Sequence, residues 1–396
     1  MNNRQALLKR IDELTPEILE VSGYIHSRPE PGYKEFKAAA FLESMLSRHG
    51  FLVEHPMPDI PTALRASRGA GSGKPAIGFI AEYDALPSIG HGCGHNLIAA
   101  SAYGASVALA SSLERVAGSV WFFGTPAEEY DGGKIPMLSA GIFKTVDAVM
   151  MMHPECIYLV NTMSLALDAL QVRFRGKAAH ASATPHEGIN ALDAVILFFN
   201  AINALRQQVK PDVRIHGIIT RGGTYPNIIP DITEAQIYVR ACDRSYLDTV
   251  TEKVRNCASG AARATGCTVR IKPFERSMDN LINNRVLAGL MEKNLHELGI
   301  DEIAEEDLEP GSTDFGNVSH EVPSLYIYAA TAPKGSSLHT RGFTRLSITP
   351  AAHQSTLNAV KAMALTGLDL FSDPELIREV KAEFLKSTNN IDIASF

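Results

Sequence analysis

Four runs in this chain are almost wholly apolar over the length of a strand: Ala76 to Ala81 (AIGFIA), Ser119 to Phe123 (SVWFF), Val146 to Met152 (VDAVMMM) and Ser324 to Ala330 (SLYIYAA). A strand wetted on one face alternates apolar and polar residues, whereas a run without alternation is buried on both faces, as in a parallel sheet covered by helices. Between the first two runs, Asn96 to Leu113 is rich in Ala and Leu and carries no charge, which reads as a buried helix. The expectation is an α/β fold with a mainly parallel sheet flanked by helices.

The fourth run is separated from the third by a segment of different character. Strand-like alternation at Asp168 to Phe174 ends in Gly176, and apolar residues then recur at helical spacing from Gly188 to Gln208. Val213 to Ile219, a Gly222-Gly223 turn, Glu234 to Arg240, a helix at Tyr246 to Ala264 and a strand at Cys267 to Lys272 follow. The order β-α-β-β-α-β is that of a ferredoxin-like α+β domain. The α/β pattern resumes only after it, so the expected domains are 1–165 with 276–396, and an inserted domain at 166–275.

A formal net charge of -7 over 396 residues, without a basic run, excludes an electrostatic footprint for nucleic acid or an anionic membrane. No uninterrupted apolar stretch of about 18 to 20 residues is read, so no membrane embedding is expected. The opening MNNRQALLKRIDEL reads as a charged amphipathic helix rather than a secretory signal. Five scattered cysteines (Cys93, Cys156, Cys242, Cys257 and Cys267) fit a reducing compartment better than a disulfide framework. A cytoplasmic protein acting on a small molecule is the expectation.

Ligands of an open parallel sheet bind beyond the carboxyl ends of its strands. Here the first run leads into Glu82-Tyr83-Asp84, the second into Glu128-Glu129, the third into His153-Pro154-Glu155, and the fourth into a loop carrying His339. Acids and histidines therefore follow all four runs. A further cluster, His91-Gly92-Cys93-Gly94-His95-Asn96, precedes the buried helix, and its alternate glycines let Cys93 and His95 approach one centre. Thiolate, imidazole and carboxylate together suit zinc and similar divalent ions. His-x-Cys-x-His alone is a weak signal; joined to the strand-end groups it points to a bound divalent metal. Two rival readings stay open, a cysteine hydrolase with Cys93 as nucleophile and a catalytically silent binding protein, against which Glu128 beside Glu129 has no structural need. His153 could instead cap strand carbonyls, and Arg240 could be the polar face of its strand.

The motifs EYDALP (82 to 87), HGCGHN (91 to 96), PAEE (126 to 129), His153-Pro154, GKAAHAS (176 to 182), Asn227-Ile228-Ile229-Pro230-Asp231, GSTDFGN (311 to 317) and His339-Thr340 run in this order along the whole chain. Together they resemble the M20 metallopeptidases, in particular their amidohydrolase branch and its aminobenzoyl-glutamate hydrolase and dipeptidase subgroup. The resemblance implies two divalent ions (Mn, Zn or Co) held by Cys93 as a bridging thiolate with His95, Glu129, His153 and His339. It implies Glu128 as general base, Asp84 orienting a ligand, and His180 stabilising the oxyanion in the site of a partner protomer. Asn227 and Arg240 would hold the carboxylate of a small amide substrate, an N-acyl or aminobenzoyl amino acid or a dipeptide. The inserted domain would serve as lid and dimerisation surface of a homodimer. Glu82 reads as structural. Asn96 stands where many relatives carry Asp, and Thr313 where many carry Glu, which leaves a metal-dependent deaminase as an alternative.

Overall fold

The computed structural model describes residues 2–57, 59–69, 75–305 and 310–389. They form two compact units: one holds the chain up to Met163, then Leu281–Pro310 and the segment from Asp314 on, and the other holds Ser164–Asn280 with Gly311–Thr313. The described strands, in chain order, are β1 (Leu52–Glu54), β2 (Leu64–Arg68), β3 (Ala76–Glu82), β4 (Ser119–Thr125), β5 (Ala148–Glu155), β6 (Tyr158–Leu159), β7 (Ala166–Arg175), β8 (Arg214–Arg221), β9 (Ile232–Ala241), β10 (Thr268–Pro273), β11 (Ile303–Ala304) and β12 (Ser324–Ala330).

In the first unit the sheet order is β1-β2-β4-β3-β5-β12-β6-β11. The four apolar runs are its centre, and β4, β3, β5 and β12 are mutually parallel. Alternate residues of β3 feed two cores: Ile77, Phe79 and Ala81 pack on one face, and Ala76 and Ile80 on the other. This is why the run carries no polar position. Strands β1, β2 and β6 add antiparallel pairings at the flanks, and all but β2 are too short to leave a periodic signal.

Helix His95–Ala110, buried along its whole length, lies under the first face. Helices Asn3–His26 and Pro350–Ser372 cross it closely at Gly104, where a Cβ would come within 2.7 Å of Ile18 and 3.1 Å of Val360. With its continuation to Glu114 this segment is long and apolar enough to cross a membrane by composition alone, which corrects the expectation that no such stretch exists. Its most apolar window is 89% buried inside the unit, so its apolarity is that of a core helix.

The second unit is an antiparallel sheet of order β10-β7-β9-β8. Helices Ala191–Leu205 and Arg244–Thr265 cover one face, where Val195, Phe198 and Val254 pack on Val172, Phe174, Ile237 and Val239. The intervening positions Arg173, Glu234, Gln236 and Arg240 are half-buried or exposed, the alternation expected of a one-sided sheet. The element order is the β-α-β-β-α-β series read from the sequence.

Candidate metal and catalytic centre

Strand β3 ends at Glu82 and delivers Asp84 just beyond it. Asp84 Oδ1 accepts from His95 Nδ1 at 2.9 Å, and its Oδ2 accepts from the backbone N–H of Glu129 at 3.0 Å. One carboxylate thus ties the first turn of the buried helix to the turn after β4. Gly94 precedes that helix in the left-handed region at φ +74, and a Cβ there would lie 2.8 Å from the Pro154 ring. Only glycine lets the Cys93 loop seat against β5 in this conformation. The Gly92 carbonyl accepts from His339 N–H at 2.9 Å, which brings in the loop after β12.

The sequence places His153 after its strand; in the structure β5 continues to Glu155, because pairing with β12 runs on to Ala330 opposite Glu155. The His153 side chain still reaches the cluster. Its Nε2 is 3.4 Å from Cys93 Sγ, and its Nδ1 is 2.9 Å from the Pro154 carbonyl, so Nδ1 is the donor and Nε2 carries the lone pair. Glu129 Oε1 lies 3.4 Å from His339 Nε2 and 4.0 Å from His95 Nε2. Three overlapping donor sets, Cys93/His95/His153, Cys93/Glu129/His339 and His95/Glu128/Glu129, each have their ligand atoms within 4.8 Å of one another. All five residues predicted to hold metal converge, and so does Glu128.

The electrostatics suit a cation. Burial keeps His153 at about 4, so it is neutral with its lone pair available. Burial and then Glu129 push the Cys93 thiol up. Burial also raises Glu128, reinforced by Glu82, Glu129 and Asp314, and burial raises Glu129. Burial opposes charge on His95, but Asp84 overrides it and lifts the imidazole; the same pairing holds Asp84 low against its own burial. His95 Nε2 and Glu129 Oε1 are buried without a hydrogen-bond partner. Such atoms are costly unless something completes them, and a mixed thiolate, imidazole and carboxylate set fits a first-row divalent ion.

The sequence did not reveal a buried charge balance beside this cluster. Lys134 Nζ sits 2.5 Å from Glu82 Oε1 and 2.6 Å from Asp314 Oδ1, and its N–H donates to Asp314 Oδ2 at 2.8 Å. Burial opposes the ammonium, and Asp314 and Glu82 more than reverse that. Glu82 Oε1 is thus paired with Lys134, a partner hidden in the sequence as a lone lysine after two glycines, and its Oε2 lies 3.5 Å from His95 Nε2. His91 is no part of the cluster: its Nε2 meets the Ile25 carbonyl at 3.1 Å. The Asn96 amide nitrogen donates to Ser22 Oγ at 2.9 Å and to the Ser347 carbonyl at 3.1 Å, while its Oδ1 is buried without a hydrogen-bond partner.

His180, Asn227 and Arg240 belong to the second unit. His180 is exposed and its Nδ1 accepts from the N–H groups of Ser182 and Ala183 at 3.3 Å. Ala181 N–H donates to the Asn227 carbonyl at 3.0 Å, so these two loops are joined through their backbones. Arg240 donates from Nη1 to Ser312 Oγ at 3.0 Å, and its Nε is buried without a partner.

Over residues 78–354 the chain matches peptidase family M20/M25/M40. It belongs to that family. A Xaa-Arg dipeptidase of Mus musculus is 40% identical over 95% of this chain and 90% of its own length. A p-aminobenzoyl-glutamate hydrolase chain of Escherichia coli (strain K12) is 31% identical over 93% of this chain and 92% of its own length. Both fall in the subgroup that the motifs predict. A dinuclear metal-binding M20 peptidase of Bacillus subtilis has the same fold, with a TM-score of 0.70 at 20% identity over 91% of this chain and 99% of that one. An aminobenzoyl-glutamate utilization protein of Klebsiella pneumoniae superposes with a TM-score of 0.70 at 17% identity, over 92% and 98% of the two chains. The chain is an M20 peptidase or amidohydrolase, and an enzyme.

Proposed function

We propose that this enzyme is a metal-dependent dipeptidase that hydrolyses the amide bond before a C-terminal amino acid, with basic C-terminal residues as the preferred class. The convergence of Cys93, His95, Glu129, His153 and His339 around His95 Nε2 and Glu129 Oε1, both buried without a hydrogen bond, carries the reading. The substrate class is supported by the 40% and 38% identity to Xaa-Arg dipeptidases of mouse and human. Cys93, His95 and Glu129, each shared by two of these donor sets, would with His153 and His339 hold the ions.

Bound there, divalent ions would supply the Lewis acidity that makes water nucleophilic near neutral pH and polarises the scissile carbonyl. Asp84 fixes the His95 ring so that Nε2 faces the centre. Glu128 takes the proton of the attacking water and returns it to the departing amine; its raised pKa suits a base that must also act as an acid. We assign the oxyanion to His180 and the substrate carboxylate to Asn227 and to Arg240, whose guanidinium offers charge-assisted bonds. A homodimer through the second unit is supported by the edge strand β8, with Ile218 62% exposed, and by Ile196 and Leu197, 45% and 41% exposed on the helix Ala191–Leu205. The deaminase alternative drew on Asn96 and Thr313; the Asn96 amide nitrogen is taken by Ser22 and Ser347.

The test is a metal-reconstitution assay on Xaa-Arg dipeptides, p-aminobenzoyl-glutamate and N-acyl amino acids. Exhaustive chelation should abolish hydrolysis, and Mn, Zn or Co should restore it; Arg240→Ala should raise KM more than it lowers kcat. Activity that survives removal of all metal would sink the reading.

A further inference from the structure

We propose that Glu35 is a positioning residue that aims Glu128 by holding the Ala127 peptide. The inference rests on the reading of Glu128 as the base. Glu35 is fully buried at the start of helix Phe36–Arg48, yet its carboxylate makes no capping bond to that helix. Capping is done by Glu30, whose carboxylate accepts from the N–H groups of Lys37 and Ala38. Glu35 is thereby released, and its Oε1 accepts the N–H of Ala127 at 2.8 Å.

Ala127 is the hinge of the PAEE turn. It lies in the left-handed region at φ +58 and ψ 38, immediately before the short helix Glu128–Asp131, and its carbonyl accepts from Gly132 N–H at 3.0 Å. A left-handed alanine costs about 1 kcal/mol, so the surroundings must impose it. Glu35 holds it from one side, and Gly32 packs against it from another, where a Cβ would come within 3.0 Å of Ala127 Cα. Two N–H groups of the turn are thus taken by two different buried carboxylates: Ala127 by Glu35, and Glu129 by Asp84. Glu129 has its own anchor, and the direction of Glu128 is set from the Ala127 side. Burial, then Asp84, raises Glu35 to about 7 even with the Thr62 side chain beside it, which is an expensive arrangement for a residue that only fills space.

The experiment compares Glu35→Ala, Glu35→Gln, Gly32→Ala and Glu128→Gln in the metal-loaded enzyme, on the dipeptide that the unaltered chain hydrolyses. Glu35→Ala should lower kcat on the order of 10- to 100-fold, with KM and metal content nearly unchanged. Glu35→Gln keeps an acceptor for Ala127 and should restore kcat to within about threefold of the parent. Gly32→Ala presses on the same peptide and should also lower kcat without loss of metal, which keeps the idea testable if Glu35→Ala does not fold. Unchanged kcat in Glu35→Ala, metal lost in step with activity, or Glu35→Gln no better than Glu35→Ala would overturn the proposal. An active Glu128→Gln would overturn the base assignment itself, a result distinct from any of these.

Discussion

Two buried carboxylate groups of this molecule are built in opposite ways. In the second unit Asp168 has both oxygens filled: Oδ1 accepts from Arg244 Nη1 at 3.0 Å and Ser277 Oγ at 2.6 Å, and Oδ2 accepts from Arg244 Nη2 at 2.9 Å and Thr251 Oγ1 at 2.6 Å. These bonds, above all those from Arg244, hold its pKa low despite burial. In the first unit Glu128 and Glu129 are pushed up by burial and by neighbouring acids, and Glu129 Oε1 is buried without a hydrogen bond, with His339 Nε2 3.4 Å away. A charge that the fold completes belongs to stability, and one that the fold leaves incomplete belongs to chemistry. Lys134 stands between the two cases: it balances Glu82 and Asp314 while leaving Glu128 raised.

The contrast is most exposed at Glu128. Replacing it by Gln removes the proton carrier and also relieves crowding among Glu82, Glu129 and Asp314, which its raised pKa records. We expect kcat to fall on the order of 1,000-fold while the melting temperature holds or rises. A melting temperature that fell in step with activity would put Glu128 in the class of Asp168.

Asp168→Ala should do the reverse. It leaves the Arg244 guanidinium in a site where its side chain is only 16% exposed, with Asp248 as its closest remaining partner at 2.6 Å. The cost is about 3 kcal/mol of unfolding free energy, measurable by denaturant titration, with kcat per folded molecule unchanged. The pH dependence has a definite sign. The folded pKa of Asp168 lies below its unfolded value of about 3.9, so its contribution is complete above that value and is lost as pH falls through the folded pKa. Asp168→Asn should flatten that part of the acid-unfolding curve; an unaltered acid limb would show that the Arg244 pairing contributes no stability.

The same distinction explains what could be read from the sequence. The four central strands were legible because burial on both faces leaves few polar positions within their apolar runs, and the second unit because its helices and strands keep their own periods. Cys93, His95, Glu128 and Glu129 were legible because chemistry needs reactive side chains beside glycines and strand ends. Glu35 and Lys134 were not, since their roles come from partners about 90 and 180 residues away in sequence, Ala127 and Asp314. The end of β5 was missed for a related reason: pairing with β12, not local composition, carries the strand through His153 and Pro154.

Asn96 supplies the smallest and sharpest test, because it sits one residue from His95 and is only half completed: its amide nitrogen is filled, while its Oδ1 is buried without a hydrogen-bond partner. Its amide has two acceptors, Ser22 Oγ at 2.9 Å and the Ser347 carbonyl at 3.1 Å. With Asp in its place, the Ser22 hydroxyl can rotate to donate, whereas the Ser347 carbonyl cannot and is left facing a carboxylate. The helix N-terminus favours a negative charge by about 0.3 to 1 kcal/mol, which offsets part of that loss. We expect Asn96→Asp to cost about 1 kcal/mol in unfolding free energy and to leave kcat and substrate preference within about twofold. If hydrolysis of the preferred dipeptide fell while stability held, Asn96 would belong with the incomplete groups of the centre, and the position would bear on substrate choice rather than on packing.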